Sequence, residues 1–164
     1  KTNVASMDDS DFRSNEKSVT ISDASAGKAK IEFVGDDGST KVLKENVQLD
    51  AGAVVDATKM SVSALRQFMK EAIQRAKDEG VLFSLHMKAT MMKVSDPIIF
   101  GHCVSVFFED AFKKHADTFK EIGVNPNNGL GDVYTKIKSL PEDKQKEKKI
   151  LKKVIGLLVV EGPF

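Results

Sequence analysis

The sequence predicts an α/β protein of mixed α+β character, with an N-terminal antiparallel β meander followed by helix–strand–helix layers. Three observations support this class. Apolar and polar residues alternate between residues 18 and 58, and the apolar spacing changes to three and four residues from Val62 onward. A mostly apolar segment, Val81–Met87, then separates two helical stretches, which is typical of a buried strand in an α/β layer.

The strand region has its clearest period of two at residues 29–33, where Ala, Ile and Phe alternate with Lys and Glu. Turn formers follow at residues 36–39, with Asp-Gly at their centre, and again at residues 50–52. We expect one face of this meander to be buried. The predicted strands lie near residues 18–21, 29–33, 41–44, 47–49 and 54–55.

The helical region begins with an apolar stripe from Val62 to Ala76, which Gly80 ends in the manner of a C-terminal glycine. A second helix opens at Asp96-Pro97 and is expected to run to His115, because proline favours the first turn and basic residues favour the last. Three later features complete the prediction: a short helical stretch at residues 119–122, a loop at residues 125–132 and a helix at residues 133–137 that Pro141 interrupts.

The composition excludes several classes of protein. The 164 residues are enough for one domain, and a net charge of +1 gives no reason to expect a nucleic-acid partner. No apolar run approaches the ~20 residues that span a bilayer, so we expect no membrane association. The single cysteine, Cys103, excludes an internal disulfide framework and favours a reducing compartment, which we take to be the cytoplasm.

The polar beginning of the chain, residues 1–18, lacks the apolar core of a secretory signal. The first residue is Lys1 instead of an initiator methionine. We therefore expect a cut through a longer chain or a processed end, which leaves organelle targeting open.

Most of the other candidate residues favour structural roles. The spacing of His86, His102 and His115 matches no zinc pattern, and His102 is poorly placed to activate Cys103 because adjacent helix residues diverge by about 100°. We expect Cys103 to be a buried structural residue. Core filling is favoured for the three methionines Met87, Met91 and Met92, and a solvated helix face for the lysine-rich residues 144–153.

Lys88 is the most informative residue, because it follows directly after the predicted strand Val81–Met87. Ligands of α/β sheets gather at the carboxyl ends of strands, where a lysine can meet an anionic substrate. A buried lysine with a lowered pKa can also move protons near neutral pH. The pattern alone nevertheless favours a lysine that ends a strand and faces water.

The run from Ser84 to Ile98, SLHMKATMMKVSDPI, resembles the segment that carries an active-site lysine in the monomeric-type NADP-dependent isocitrate dehydrogenases. The similarity continues through Phe100-Gly101 and residues 127–134, and resumes at residues 137–147. Upstream, similar residues occur in the same order, for example at Gly38-Ser39 and in residues 42–44. A conjunction this long is far more specific than a short motif.

The resemblance implies a portion of a larger isocitrate/isopropylmalate dehydrogenase-like fold. It implies a monomeric enzyme that oxidises and decarboxylates isocitrate to 2-oxoglutarate, with NADP as hydride acceptor and Mg or Mn as the metal. On this resemblance Lys88 is both the catalytic and the substrate-binding residue. The roles of Lys93, Asp96 and the Asn127–Asp132 loop stay open, although Lys93 is a candidate for added positive charge beside the substrate.

The resemblance covers residues 1–147, which it assigns to the large domain, whereas residues 148–164 form a divergent tail rich in lysine and apolar residues. No residue of this chain is identified as a metal or cofactor ligand. One lysine cannot bind a tricarboxylate, a metal ion and a dinucleotide together, so we expect the chain alone to be inactive. The alternative is a truncated, non-catalytic α/β protein or an interaction module.

Overall fold

The computed structural model describes residues 2–87, 91–141 and 144. The chain divides into two compact units. The first, residues 8–61, contains all the described strands, and we call it the strand unit. The second combines residues 1–7 with residues 62–164 and contains the described α-helices, and we call it the helical unit.

The strand unit contains four antiparallel strands and a 3-10 turn at Asp23–Ser25. The antiparallel pairing is confirmed, but the order differs from a meander, because β2 pairs with β3 and β1 pairs with β4. The predicted turn at residues 36–39 joins β2 and β3 into a hairpin, and β1 pairs with the last strand, β4. The strands are β1 Lys17–Thr20, β2 Gly27–Val34, β3 Thr40–Leu49 and β4 Val54–Ala57.

The prediction that one face of these strands is buried is wrong. None of their residues is buried, and Ile31, Phe33, Val34 and Leu43 are each more than half exposed. Only Ile21, just after β1, is buried among the hydrophobic residues of this unit. Within residues 8–61 the strands form two separate two-stranded sheets, and register shifts beside Ile31 interrupt the alternation of the hairpin.

The first helix of the helical unit confirms the predicted stripe. Leu65, Met69 and Ala72 are its buried residues. Gly80 adopts a φ of 62°, and the helix ends as the N–H of Val81 donates to the carbonyl of Ala76 at 2.9 Å. The helices are α1 Val62–Asp78, α2 Ser95–Phe107, α3 Glu109–Lys114, α4 Ala116–Glu121 and α5 Gly129–Lys138.

The second predicted helix, residues 96–115, is broken into α2 and α3 at Phe108. This residue leaves the helical conformation, with φ −105° and ψ 28°, and its side chain is buried in the core. The predicted loop at residues 125–132 is shorter than expected. A 3-10 turn spans Pro126–Asn128, and α5 already begins at Gly129, whose φ is 78°.

The core of the helical unit lies where α2 to α5 meet. Val133 and Ile137 of α5 have no exposed surface. The rings of Phe112 and Phe119 pack edge to face, with centroids 4.9 Å apart. The buried cluster consists of Val104, Phe108, Ala111, Phe119, Val133, Ile137 and Leu140.

The predicted strand Val81–Met87 is wrong as a sheet element, since these residues belong to no ladder in the described part of the chain. Their exposure still alternates residue by residue, which explains why the pattern indicated a strand. Among the described residues, no helix has the length and apolar character needed to cross a membrane.

Candidate functional site

Lys88, the predicted catalytic and substrate-binding residue, lies outside the described residues together with Ala89 and Thr90. The structure describes both flanks of this lysine, residues 81–87 before it and Met91 onward after it. The geometry of the two flanks therefore defines the candidate site.

The flank before Lys88 packs on one side only. Val81, Phe83, Leu85 and Met87 are half-buried, and the residues between them are exposed, with Leu82 at 84%. Residues 81–85 line a groove of about 440 Å³ together with α1 and residues 2–5. This flank thus runs beside α1, with alternate residues half-buried.

The flank after Lys88 is open and apolar. Met91 is 90% exposed and Met92 53%, so the expectation that they fill the core is wrong for both; Met87 is half-buried. Lys93 is exposed, and Asp96 lies in the first turn of α2, where the helix dipole favours a carboxylate.

The α2 helix anchors this flank to the rest of the helical unit at Gly101. A Cβ atom at Gly101 would lie 2.0 Å from the Oδ1 of Asn127 and 3.0 Å from its backbone nitrogen. The turn is fixed in its own right, because the N–H of Asn127 donates to the Oδ1 of Asn125 at 3.0 Å. Only a glycine therefore permits this close approach of α2 to the Pro126–Asn128 turn, a contact that the sequence pattern did not reveal.

The three histidines occupy separate places. His86 is exposed after α1, and His102 is half-buried on α2, where burial and then the charge of Arg66 lower its pKa. His115 is buried between α3 and α4, and its Nε2 atom has no hydrogen-bond partner among the described residues. The prediction that Cys103 is a buried structural residue is confirmed, and burial raises the pKa of its thiol to about 11.

A second groove, of about 700 Å³, lies along α1 and the end of α2. Its charged lining residues are three carboxylates and two cations, so it offers no net attraction to a tricarboxylate or a dinucleotide phosphate. These residues are Glu71, Asp78, Glu79, Lys70 and Arg75. This groove is therefore a poor site for an anionic ligand.

The described residues do not fit a divalent metal. Within residues 2–87, 91–141 and 144, no three His, Cys, Asp or Glu side chains converge as a metal site requires.

Charged contacts on the surface join helices instead of building a site. Glu109 of α3 contacts Lys113 at 2.8 Å and Lys70 of α1 at 2.9 Å. Hydrogen bonds from Lys113 and then Lys70 lower the pKa of Glu109 to about 2. Of the predicted lysine-rich helix face at residues 144–153, only Lys144 is described, and its Nζ lies 2.7 Å from the carboxylate of Glu121.

Comparison with known proteins gives a consistent result. The family model described as monomeric isocitrate dehydrogenase matches residues 1–158. The isocitrate dehydrogenase [NADP] of Azotobacter vinelandii is 52% identical over 147 residues, which is 90% of this chain and 20% of that protein. The isocitrate dehydrogenase [NADP] 2 of Mycobacterium tuberculosis is 50% identical over 147 residues, with the same two coverages.

The corresponding protein of Corynebacterium glutamicum, an isocitrate dehydrogenase [NADP], is 46% identical over 140 residues, which is 85% of this chain and 19% of that protein. The chain thus spans about a fifth of the length of these curated relatives. High identity over a small share of each relative places the match in one portion of a longer protein.

Proposed function

Since the chain belongs to the monomeric isocitrate dehydrogenase family, we propose that it supplies the substrate-binding lysine of an NADP-dependent isocitrate dehydrogenase and does not catalyse alone. The observation that supports this most directly is the 52% identity to the Azotobacter vinelandii enzyme over 147 residues. The run Ser84–Ile98, with Lys88 at its centre, is the part that resembles the family's active-site segment.

In this proposal the ammonium of Lys88 contacts bound isocitrate and helps to move a proton during decarboxylation to 2-oxoglutarate. A hydrogen bond to a charged group typically contributes about 1.5–3 kcal/mol, and a positioned acid or base about 10²–10⁴ in rate. The apolar flanks, with Met91 and Val94 largely exposed, supply a surface that excludes water once it is covered.

In this reaction NADP would accept the hydride. A divalent metal, Mg or Mn, would stabilise the negative charge that develops when carbon dioxide leaves. The described residues do not fit the metal, and their second groove does not suit a dinucleotide phosphate. We therefore derive no step through either group from this chain. Both sites belong, in the proposal, to other parts of a longer monomeric polypeptide with the isocitrate/isopropylmalate dehydrogenase-like fold.

The extent of the catalytic portion is also a proposal. Residues 1–147 are assigned to the large domain and residues 148–164 to a divergent tail, and all of that tail lies outside the described residues. The cytoplasm is the proposed compartment.

The test is a chimera in which this chain replaces the matched segment of the Azotobacter vinelandii enzyme. We expect isocitrate-dependent NADPH formation from the chimera, and a fall of at least about a hundredfold in kcat with Lys88→Met, because the ammonium is lost while side-chain length is kept. Lys77→Met is the matched control, since it removes an exposed ammonium from α1, outside the run Ser84–Ile98, and is expected to leave kcat within about twofold.

Two results would contradict the proposal. Unchanged turnover in the Lys88→Met chimera would exclude a role for this lysine in the reaction. A correctly folded chimera without activity, by circular dichroism and thermal unfolding, would favour the alternative of a non-catalytic module.

A further inference from the structure

Residues 82–87 have an unusual backbone. Their exposure alternates along the chain, yet among the described residues no backbone–backbone hydrogen bond involves any of them. The last such bond before them is the one from the N–H of Val81 to Ala76 that ends α1. Backbone donors and acceptors in a folded protein are almost always paired, so six unpaired residues in a row require a partner or water.

The exposure of the same segment fits a strand with one open side. Val81, Phe83 and Leu85 are half-buried beside α1. The alternate residues Leu82, Ser84 and His86 are exposed, with Leu82 at 84%. A segment with alternating burial, an exposed leucine and a free backbone edge has the properties of a sheet strand that lacks its neighbour.

We propose that residues 81–87 form a strand only when a neighbouring strand of the same, longer polypeptide pairs with them and covers Leu82. The inference rests on the proposed function, because it would place Lys88 at the carboxyl end of that strand. The neighbouring strand would come from the rest of that polypeptide, since this chain covers only about a fifth of the length of its relatives. The family is described as monomeric, which favours a partner within one polypeptide over a second copy of this chain.

Hydrogen–deuterium exchange of the 164-residue chain and of the chimera tests the inference. In the chain alone, the amides of residues 82–86 should exchange within about tenfold of the unfolded rate, while those of Leu65 to Ala76 in α1 are protected. In the chimera the same amides of residues 82–86 should be protected by at least about a hundredfold more. The intact Azotobacter vinelandii enzyme, measured at its matched segment, replaces the chimera if the chimera does not fold.

Three exchange results would overturn the inference. Protection in the dilute chain alone means that the partner lies within these 164 residues, and protection that rises with concentration means that it is a second copy. Fast exchange in the active chimera means that no ladder forms. An active chimera with fast exchange would leave the proposed function intact, whereas a protected segment with full turnover in Lys88→Met would overturn only the role of Lys88.

A matched pair of substitutions gives a second readout. Leu82→Lys should leave the thermal unfolding of the chain alone unchanged and should lower the melting temperature and NADPH formation of the chimera, because it places a charge where the partner packs. Gln74→Lys, on the exposed face of α1, should change neither protein. Equal behaviour of the two variants in the chimera would contradict a covered Leu82.

Discussion

The two units of this chain differ in how much apolar surface they bury. The helical unit buries a cluster of seven hydrophobic residues and leaves Val133 and Ile137 without exposed surface. The strand unit buries Ile21 alone among its hydrophobic residues and leaves Phe33 and Val34 more than half exposed. Burial of apolar surface is the main source of folding free energy, so we expect the helical unit to have the larger free energy of unfolding.

The largest effect is expected from the same substitution made in both units. Ile137→Ala should lower the free energy of unfolding by about 2–5 kcal/mol, because it leaves a cavity in the core. Ile31→Ala, at a side chain that is 51% exposed, should change it by less than about 1 kcal/mol. Urea unfolding followed by far-ultraviolet circular dichroism measures both, since this signal reports the helices and the strands together. Equal losses would mean that the two units do not differ in packing.

A smaller effect is expected where α2 meets the Pro126–Asn128 turn. Gly101→Ala should destabilise the chain by about 1–3 kcal/mol, because the new methyl group would overlap the side chain of Asn127. Gly131→Ala is the control, since a Cβ there meets nothing within 4 Å, and it should be neutral or stabilising by up to about 1 kcal/mol.

A double variant sharpens this second prediction. Asn127→Gly removes the Oδ1 atom that the new methyl group would meet, so it should recover part of the stability lost in Gly101→Ala. Thermal unfolding of the single and double variants gives the coupling free energy between residues 101 and 127. Additive losses would show that the close approach is not the cause.

The smallest effect concerns pH and the ion pairs of Glu109. Its pKa in the folded chain is about 2, below the ordinary value of 4.5, so its contribution to stability is present above pH 4.5 and is lost as the pH falls towards 2. Glu109→Gln should therefore reduce the drop in melting temperature between pH 6 and about pH 3. Asp110→Asn is the control, because Asp110 makes none of the described ion pairs. The same drop in both variants would exclude Glu109 as a source of the pH dependence.

The sequence predicted those features that depend on neighbours along the chain. The stripe of α1 and its end at Gly80 are local, and so are the approximate strand positions, since period and turn residues determine them. The two strands predicted at residues 41–44 and 47–49 are, however, the single strand β3. The pairing of β1 with β4 was not predicted, because strand pairing depends on contacts between distant residues. The break at Phe108 was missed for a similar reason, since burial of its ring in the core, and not a proline or glycine, accompanies the break.

The candidate site shows the same division. The residues around Lys88 identified the family through a long run of similar sequence, whereas their alternation alone favoured a lysine facing water. The segment before Lys88 has the alternating burial that the pattern predicted. It pairs with no other strand among the described residues, so the prediction of a sheet strand was wrong. The close approach at Gly101 has no signal in a single sequence, because it depends on a turn 26 positions away.

The most direct test of the central claim is the rate of isocitrate-dependent NADPH formation by the purified 164-residue chain with magnesium. We predict no rate above that of a sample without protein, because in the proposed function this chain supplies only Lys88, and the metal and cofactor sites would come from the rest of a longer polypeptide. Turnover by the chain alone that disappears in the Lys88→Met variant would contradict this account.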